Sequence, residues 1–456
     1  MSQLIAAVAT PPGTGGVGIL RLSGPGAAET AARVFRPVGK TPLTQVPDRQ
    51  MLYGTVQDRE GRTIDTGLAF VSRAPHSYTG EETAEIQCHG SPMVLSLALE
   101  ALFAAGARQA LPGEFTKRAF LNGKLDLTQA EAVIDLIDAE TPAAARQAAS
   151  RLGGALSRTI GRVYHGLVDV TAHFHAVLDY PDEDIDPFRA ETIAAALETG
   201  LEETSRLLAT YDRGRQLTFG VPCAILGRPN VGKSSLLNAL VGYDRAIVTQ
   251  IPGTTRDTIE ARASVGGVLL NLTDTAGLRE TGDEAERLGV ARSRAAAAEA
   301  RLVLLVLDGG AALTQEDREA IALAQEAPAC ICLVNKSDLP PVLDVEALRG
   351  QFPHLCTVSA QNGEGLEQLG PMVAALFPPG TGSEGETLLT NARQVEAVSR
   401  ARESLERAGE GLRQGMPPDL LLSDVEEALE ALGELTGRAV REDITSRIFE
   451  RFCVGK

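Results

Sequence analysis

Residues 227–234 carry the pattern that points most directly to chemistry, because Gly-Arg-Pro-Asn-Val-Gly-Lys-Ser matches the phosphate-binding loop G-x-x-x-x-G-K-[ST]. The apolar run Val221–Leu226 before it predicts a strand, and the residues from Ser234 onward predict a helix. In that arrangement the loop N–H groups and the helix N-terminus attract phosphates. We expect Lys233 to contact the β- and γ-phosphates and Ser234 to bind Mg²⁺, which prefers oxygen ligands.

Four further motifs follow along the chain in the order that a guanine-nucleotide site requires. Asp274 ends a predicted strand and should hold the same Mg²⁺ through water, while Thr255 is a candidate switch ligand for Mg²⁺ and the γ-phosphate. Asp338 follows the apolar run Cys330–Val334, and its carboxylate can accept hydrogen bonds from N1 and N2 of guanine. Ser359-Ala360 fits the loop that supports the base. The sequence therefore predicts guanine-nucleotide binding.

The expected nucleotide contacts fall in short segments, each with polar or glycine residues suited to phosphate, magnesium or base. They are Asn230, Val231, Gly232, Lys233, Ser234, Ser235, Thr249, Gln250, Ile251, Pro252, Gly253, Thr254, Thr255, Asp274, Thr275, Ala276, Gly277, Asn335, Lys336, Asp338, Ser359 and Ala360. The expected magnesium ligands are Ser234 and Thr255. The alternative is that these motifs are accidental. Strand–turn–helix patterns would then have to arise by chance several times and in the correct order along the chain.

The position that normally serves hydrolysis carries an unsuitable residue. GTPases of the Ras and Gα type use a glutamine that orients the attacking water, and here Leu278 follows Gly277. Leucine cannot hydrogen-bond, so another group must take over. Asn230 could hold a monovalent cation near the β- and γ-phosphates, and three carboxylates follow in residues 283–286. Two interpretations of Glu286 stay open from spacing alone, a water-orienting base and a solvated acid favoured by a helix N-terminus.

The composition is that of a soluble multidomain protein without a large basic surface. The chain has 456 residues, 44% of them hydrophobic and 23% charged, and a formal net charge of −17. No apolar run approaches the roughly 18–20 residues of a membrane span. The first residues lack the basic and apolar regions of a signal peptide. We therefore expect a cytoplasmic protein without membrane contact and without long-range steering of RNA.

Cysteine and lysine usage adds two expectations. Six cysteines without a second pair at zinc spacing predict buried free thiols in a reducing compartment. Only six lysines stand among 43 basic residues, and two of them, Lys233 and Lys336, lie in nucleotide motifs. Scarcity therefore draws attention to Lys124 and Lys456, although the low number can equally be a matter of composition.

The pattern of elements divides the chain into four stretches. Residues 1–119 alternate β-branched runs with turn residues and predict an α+β domain, and residues 120–216 show helical periodicity. Residues 217–379 repeat strand and helix patterns, which predicts an α/β domain with ligand at the carboxyl ends of a mostly parallel sheet. Residues 380–456 are helical again. This order suggests one helical domain interrupted by an inserted α/β domain.

Strings outside the nucleotide motifs make the chain similar to a known family. They are Thr10-Pro11-Pro12, Gly15–Arg21, Tyr78-Thr79-Gly80-Glu81, Pro112–Leu127, Asp179–Glu183 and Phe452-Cys453-Val454-Gly455-Lys456. Together with the nucleotide motifs they resemble the MnmE (TrmE) family of tRNA-modification GTPases over essentially the whole chain. The nucleotide motifs alone would also fit ribosome-assembly GTPases.

The resemblance implies an architecture and an activity. The α+β domain would bind tetrahydrofolate and form a homodimer, and the inserted domain would be a Ras-like GTPase stimulated by potassium. With an FAD-dependent partner protein, the GTPase would form the carboxymethylaminomethyl-type modification at C5 of the wobble uridine of tRNA. The carbon would come from 5-formyl- or methylene-tetrahydrofolate.

The resemblance also assigns roles to single residues. The catalytic glutamate falls on Glu286. The potassium ligands fall on Asn230, Thr249, Ile251 and Thr254, and the 5-formyltetrahydrofolate contacts on Arg21, Glu81, Lys124 and Lys456. Cys453 should lie near the folate, where a catalytic role and a structural thiol both stay open.

A second function from another class remains possible at this stage. The chain could be a regulatory GTPase that binds ribosomes or RNA and modifies nothing. The acidic charge and the lack of a recognisable RNA-binding domain argue against it. Folate binding distinguishes the two hypotheses.

Overall fold

The computed structural model describes most of the chain in two compact units. The described residues are 3–179, 190–243, 261–274, 294–378, 387–438, 448–449 and 452–456. The first unit comprises Met1–Ile134, Arg151–Leu201 and Arg400–Lys456, and the second comprises Asp135–Ser150 and Glu202–Ser399. The predicted domain boundaries, 1–119, 120–216, 217–379 and 380–456, remain a prediction.

The N-terminal part of the first unit contains a seven-stranded sheet. Its strands are β1 Ile5–Val8, β2 Gly15–Ser23, β3 Phe35–Pro37, β4 Leu52–Gln57, β5 Thr63–Ser72, β6 Thr83–Gly90 and β7 Arg108–Gln109. The strand order is β3-β4-β5-β6-β2-β1-β7, with β7 parallel to β1 and the other pairs antiparallel. In β2 the buried Leu20 and Leu22 alternate with less buried residues, as expected for a strand with one face in the core.

The first two helices lie between strands of this sheet, and six described helices then follow β7 in succession. Those of the α+β part are α1 Ala27–Val34, α2 Pro92–Ala104 and α3 Glu114–Leu121. The next are α4 Leu127–Ile137, α5 Pro142–Leu152, α6 Ala155–Asp179, α7 Ala190–Ala209 and α8 Tyr211–Phe219. Contacts between α2 and β1, β2, β5 and β6 place this helix on the sheet. The α+β character of the N-terminal third and the helical character after it are as predicted.

The second unit contains a six-stranded sheet. Its strands are β8 Val221–Leu226, β9 Ala261–Val265, β10 Val268–Asp274, β11 Leu302–Asp308, β12 Cys330–Asn335 and β13 Leu355–Thr357. The order is β13-β12-β11-β8-β10-β9, and among the strand pairs described only β9–β10 is antiparallel. Six consecutive residues of β11 are buried, because a central parallel strand is covered on both faces. This is the predicted α/β domain with a mostly parallel sheet.

Six further helices lie in the described parts of the two units. They are α9 Lys233–Tyr243, α10 Gln315–Gln325, α11 Val345–Arg349, α12 Leu369–Leu376, α13 Ala392–Arg413 and α14 Pro418–Thr436. Within the first unit α14 packs against α6. Among the helices described, none combines the length and apolar character needed to cross a membrane. All six cysteines are free thiols, but Cys453 is exposed and so departs from the expectation of buried thiols.

Candidate functional site

The predicted phosphate loop connects β8 to α9, and its conformation depends on two glycines. Gly232 has a φ of 100°, and a Cβ added there would lie 2.2 Å from Nδ2 of Asn335. Gly227 has a φ of 149°, and its Cβ would lie 2.4 Å from the carbonyl oxygen of Val306. Any other residue at either position would clash with the neighbouring strand ends. Asn230, inside the loop, also adopts a left-handed backbone with a φ of 64°.

Lys233 lies in the interior of this loop. Lys233 is only 6% exposed, and its Nζ donates to the carbonyl oxygens of Gly227 at 2.6 Å and Arg228 at 2.9 Å. Ser234 and Ser235 follow it in the first turn of α9, where helix N–H groups lack helical acceptors. The positive charge and the helix start are therefore combined at one place, as binding of phosphate requires.

Asn335 joins the phosphate loop to the predicted base loop. Its Nδ2 donates to the carbonyl oxygen of Val231 at 2.7 Å, and its Oδ1 accepts from the N–H of Ala360 at 2.9 Å. The side chain is buried, so these bonds form away from solvent. Asn335 was predicted as a nucleotide contact, and the structure gives it a second task, which is to hold two loops at a fixed separation.

The predicted guanine-reading carboxylate is oriented by its neighbour. Oγ of Ser359 donates to Oδ1 of Asp338 at 2.7 Å and accepts from the N–H of Asn362 at 3.3 Å. Asp338 itself is exposed. An exposed carboxylate held in one orientation is suited to accept hydrogen bonds from a bound base.

A charged network beside the loop was missed by the sequence analysis. Asp308, the last residue of β11, accepts from Nζ of Lys336 at 2.7 Å and from Nη2 of Arg228 at 3.4 Å. Nε of Arg228 also donates to Asp317 at 3.1 Å. Burial raises the pKa of the Asp308 carboxyl, but hydrogen bonds from Lys336 and Gly310 outweigh burial, so the pKa is lowered. The one signal in the sequence that could have identified Asp308 was its position directly after the apolar run of residues 302–307.

Other predicted nucleotide residues are only partly described. Asp274 is the last residue of β10 and pairs with Ile225 of β8, so its backbone reaches the edge where the phosphate loop begins. The remaining predicted residues lie outside the described residues. They are Thr249, Gln250, Ile251, Pro252, Gly253, Thr254, Thr255, Thr275, Ala276, Gly277 and Glu286. The switch, most of the potassium site and the catalytic glutamate therefore stay predictions.

The predicted folate contacts lie in the first unit, and Arg21 is the best defined. Its Nε donates to Oε1 of Glu85 at 2.8 Å. Its guanidinium carbon lies 5.8 Å from the ring centroids of both Tyr78 and Phe115. The cation therefore lies near two aromatic rings, one of them in the first turn of α3, within the distance at which cation–π attraction acts.

Glu81 is held by two donors on one oxygen. Its Oε2 accepts from Oγ of Ser23 and from Nη1 of Arg118, both at 2.8 Å. The Arg118 side chain is 8% exposed and also donates to Oε1 of Glu114 at 2.8 Å and to the carbonyl oxygen of Gln3 at 2.7 Å. Arg118 was not singled out from the sequence, although it lies in one of the strings that carried the resemblance.

Glu114 extends this network towards the surface. Burial raises the pKa of its carboxyl, but hydrogen bonds from Arg108, the N–H of Leu111 and Arg118 outweigh burial and lower the pKa to about 2. The carboxylate is therefore ionised at neutral pH, and charges of alternating sign run from Arg108 through Glu114 and Arg118 to Glu81.

The C-terminal segment lies against the start of α3. Pro112 and Val454 form an antiparallel bridge, and the N–H of Phe115 donates to a main-chain oxygen of Lys456 at 3.1 Å. Cys453 is exposed on this segment. Lys124 is also exposed, and its Cγ would lie 3.4 Å from a Cβ added at Gly80.

The four predicted folate residues thus belong to segments that converge on α3. The structure establishes this convergence of segments. A role in folate binding for any of the four side chains, or for Cys453, stays a prediction.

A separate cavity of about 20 Å³ lies in the second unit beside the start of β8. That volume is on the order of a single water molecule. It is lined by Thr141, Arg213, Gln216, Leu217, Val221, Gly267, Val268, Leu269, Phe377 and Pro378. None of the predicted site residues is among them.

Comparison with known families covers almost the whole chain. Residues 4–124 match the model of the GTP-binding protein TrmE N-terminus, and residues 127–453 match the model of the MnmE helical domain. The second match begins before the α/β domain and ends after it, as expected for a helical domain with an insertion.

Three full-length relatives share one description, tRNA modification GTPase MnmE. The protein from Symbiobacterium thermophilum is 47% identical, over 100% of this chain and 99% of its own length. The protein from a Roseiflexus species is 46% identical over 99% of each chain. A Thermus thermophilus protein is 45% identical, again over 99% of each chain.

Solved structures match the chain only in part. The G domain of the T. maritima FeoB iron transporter is 27% identical, with a TM-score of 0.27, and covers 34% of this chain and 98% of its own. A single-residue variant of Aquifex aeolicus Era bound to GDP.AlF4⁻ is 24% identical, with a TM-score of 0.28, and covers 40% of this chain and 65% of its own.

Proposed function

Because this chain belongs to the MnmE family of tRNA modification GTPases, we propose that potassium stimulates its hydrolysis of GTP and that hydrolysis serves modification of the wobble uridine. GTP hydrolysis in tRNA modification follows from the family itself. The location of the nucleotide site is best supported by the two hydrogen bonds of the Asn335 side chain, one to the phosphate loop and one to the base loop. The alternative of a ribosome-assembly GTPase has no comparable support.

The residues present suit the proposed nucleotide and magnesium. The loop interior is shaped by glycine, Lys233 lies within it, and Ser234 supplies a hydroxyl at the helix start. Ser234 and Thr255 offer oxygen ligands of the kind that Mg²⁺ prefers, and Asp274 would hold the same ion through water. Asp338 would accept guanine N–H groups in the orientation set by Ser359.

The potassium proposal rests on Asn230. The left-handed backbone at Asn230 places an amide-bearing residue inside the phosphate loop, where Thr249, Ile251 and Thr254 would complete an oxygen site. A bound cation there supplies positive charge to the β- and γ-phosphate oxygens as the transition state forms. Glu286 would accept a hydrogen bond from the attacking water. It would thereby orient the water, which is the role of the glutamine in GTPases of the Ras and Gα type and one that Leu278 cannot perform.

Potassium dependence is tested by steady-state GTP turnover in KCl and in NaCl at equal ionic strength. We expect a clearly higher rate in KCl for the wild type and equal low rates in both salts for Asn230→Ala. Equal rates in the wild type would reject the ion site.

The proposed catalytic glutamate has a matched control two positions earlier. Glu286→Ala should keep its affinity for GTP and lose hydrolysis by about 100-fold or more, a range typical of removed general-base or water-orienting groups. Glu284→Ala makes the same chemical change and should keep wild-type turnover. Turnover by Glu286→Ala equal to that of Glu284→Ala would reject the assignment.

The folate proposal assigns two kinds of contact to the first unit. Arg21, Lys124 and Lys456 would pair with carboxylates of 5-formyl- or methylene-tetrahydrofolate, and Glu81 would accept from pterin N–H groups. The fixed orientation of Glu81 and the convergence of these segments on α3 support this proposal. Cys453 would lie nearby as a candidate for the carbon chemistry.

Folate binding is tested by calorimetric titration of 5-formyltetrahydrofolate into the whole protein. The wild type should bind, Lys124→Ala should bind at least about tenfold more weakly, as for a lost charged contact, and Lys40→Ala should bind as the wild type does. An absence of wild-type binding would reject the folate site while leaving GTP hydrolysis intact.

The complete activity requires partners that we also propose. The protein would act in the cytoplasm as a homodimer with an FAD-dependent partner and tRNA, and it would yield the carboxymethylaminomethyl-type group at C5 of the wobble uridine. Mass analysis of tRNA nucleosides from cells lacking the gene tests this directly. Unchanged wobble uridines would reject the proposed product.

A further inference from the structure

Asp308 lies between the two loops of the nucleotide site and bonds to both. We propose that Asp308 is a positioning residue for guanine nucleotides, which ties the phosphate loop, through Arg228, to the guanine loop, through Lys336. This role goes beyond the predicted site, in which Asp308 and Arg228 have no part.

The sheet topology explains why this position is available. In the strand order, β11 lies between β8, which leads into the phosphate loop, and β12, which leads into Lys336. Asp308 is the last residue of β11 and pairs in register with Asn335 at the end of β12. A side chain at this point is therefore within reach of both loops.

Both oxygens of the Asp308 carboxylate are engaged. Oδ2 accepts from Nζ of Lys336 at 2.7 Å and from Nη2 of Arg228 at 3.4 Å, and Oδ1 accepts from the N–H of Gly310 at 3.0 Å. The side chain is 11% exposed, so its interactions are only weakly screened by solvent. The N–H of Gly310 fixes the carboxylate, and the carboxylate in turn fixes two cations.

Asp317 provides a second anchor for Arg228. It accepts from Nε of Arg228 at 3.1 Å and from the N–H and hydroxyl of Thr314 at 2.9 and 2.8 Å. The Asp317 side chain is 4% exposed and belongs to the capping box of α10. Arg228 is thus held between the end of a buried strand and the start of a helix.

The position of Arg228 bears directly on the phosphate-binding lysine. The carbonyl oxygen of Arg228 accepts from Nζ of Lys233 at 2.9 Å, so movement of Arg228 would move a group that orients Lys233. Asn335 already fixes the far end of the loop at Val231. Asp308 therefore fixes the near end, and removal of its charge would leave Arg228 and Lys336 as neighbouring cations without the anion between them.

The test is Asp308→Asn in the whole protein, with dissociation constants and off-rates for GDP and GTP and turnover at saturating GTP. We expect affinity for both nucleotides to fall about tenfold, mainly through faster dissociation, with turnover within about twofold of the wild type. Asp308→Glu, which keeps the charge, should restore part of the affinity. Unchanged affinity, or lost turnover at unchanged affinity, would overturn the proposal.

A second measurement separates positioning from base reading. Inosine diphosphate lacks the guanine N2 group, so the ratio of GDP to IDP affinity reports Asp338. Asp308→Asn should keep this ratio, whereas Asp338→Asn should lower it. A collapse of the ratio in Asp308→Asn would show that Asp308 reads the base, contrary to the proposal.

Two further variants control for stability and test the Arg228 contact. Asp344→Asn makes the same change at the N-cap of α11 and should keep wild-type affinity. An equal loss in that variant would overturn the assignment. If Asp308→Asn does not fold, Arg228→Lys tests the same contact. Lysine keeps the positive charge but lacks the planar guanidinium whose nitrogens bond both Asp308 and Asp317, so GDP affinity should fall several-fold. Wild-type affinity in Arg228→Lys would reject the contact.

Discussion

The nucleotide site and the predicted folate cluster are built from different materials. The nucleotide site consists largely of backbone at the ends of parallel strands, shaped by Gly227 and Gly232 and joined by one buried amide, Asn335. The predicted folate cluster consists of charged side chains from separate segments, in which the buried Arg118 bonds the carboxylates of Glu81 and Glu114.

This difference predicts that the two regions tolerate substitutions differently. A site made of backbone fails when a loop cannot adopt its conformation, even if every polar side chain remains. A site made of buried charges fails when one partner is removed, because the other charge is left without compensation. Mutations in the two regions should therefore have different signatures, one in ligand affinity and the other in stability.

The largest expected effect is on stability, in the buried charge network. Arg118→Met should lower the free energy of unfolding by about 3 kcal/mol, because Glu81 and Glu114, whose side chains are 15% and 11% exposed, would lose the cation that they share, and only Glu114 would keep a second one, Arg108. Urea denaturation followed by circular dichroism measures this loss. Arg59→Met is the control, because Arg59 and its partner Glu60 are 64% and 45% exposed, and the loss of so exposed a pair should change stability little. Equal stability of the two variants would contradict the contrast.

The next effect is on affinity, in the backbone-built site. Gly232→Ala should weaken GTP binding about 10- to 100-fold, because the left-handed backbone is strained and the new Cβ meets Asn335. The melting temperature of the variant should stay close to that of the wild type. Gly61→Ala is the control, since Gly61 has a φ of 79° with open space around its Cβ position, and GTP affinity should be unchanged. GTP binding of wild-type strength in Gly232→Ala would reject the backbone argument.

A pH effect should appear in the charge network. The pKa of Glu114 is about 2 in the folded protein against an ordinary value of 4.5, so ionised Glu114 stabilises the fold above pH 4.5. That contribution is lost as the pH falls from about 4.5 towards 2, because the unfolded chain takes up the proton first. Glu114→Gln should therefore flatten the acid side of the stability curve, measured by urea denaturation at several pH values. An unchanged curve would show that Glu114 does not contribute this dependence.

The smallest effect concerns the helix that supports Arg228. Thr314→Ala removes the capping box of α10 and should cost about 1 kcal/mol of stability. GDP affinity should fall only slightly, since Asp308 still holds Arg228. Gln315→Ala, next to it at the helix start, should leave the melting temperature nearly unchanged. A large loss of affinity in Thr314→Ala would mean that Asp317, and not Asp308, is the main anchor.

The sheet of the second unit was predictable because its buried strands are unbroken apolar runs. Val221–Leu226 was predicted with the bounds that the structure has, and the apolar run Cys330–Val334 ends one residue before the end of β12. The edge strands β9 and β13 were not predicted. Their short segments alternate or lack a clear pattern, and pairing with a neighbouring strand makes them strands.

The sites were predictable to the extent that their geometry is local. The phosphate loop is one continuous motif, because neighbouring residues share one phosphate, and so its glycines and Lys233 could be identified from spacing. Arg228 fills a variable position of that motif, and Asp308 lies far away in the chain, so only folding shows their contact. Arg118 resembles an ordinary exposed helical arginine in the sequence, and only its burial reveals its task.

The bridge between Pro112 and Val454 has a consequence for how the protein folds during synthesis. The N-terminal sheet and α3 leave the ribosome long before the segment that pairs with Pro112 has been translated. Contacts so distant in sequence form late, because the long intervening loop must first be closed. The exposed start of α3 must therefore wait, as an incomplete surface, while the whole nucleotide-binding unit is synthesised and has time to fold.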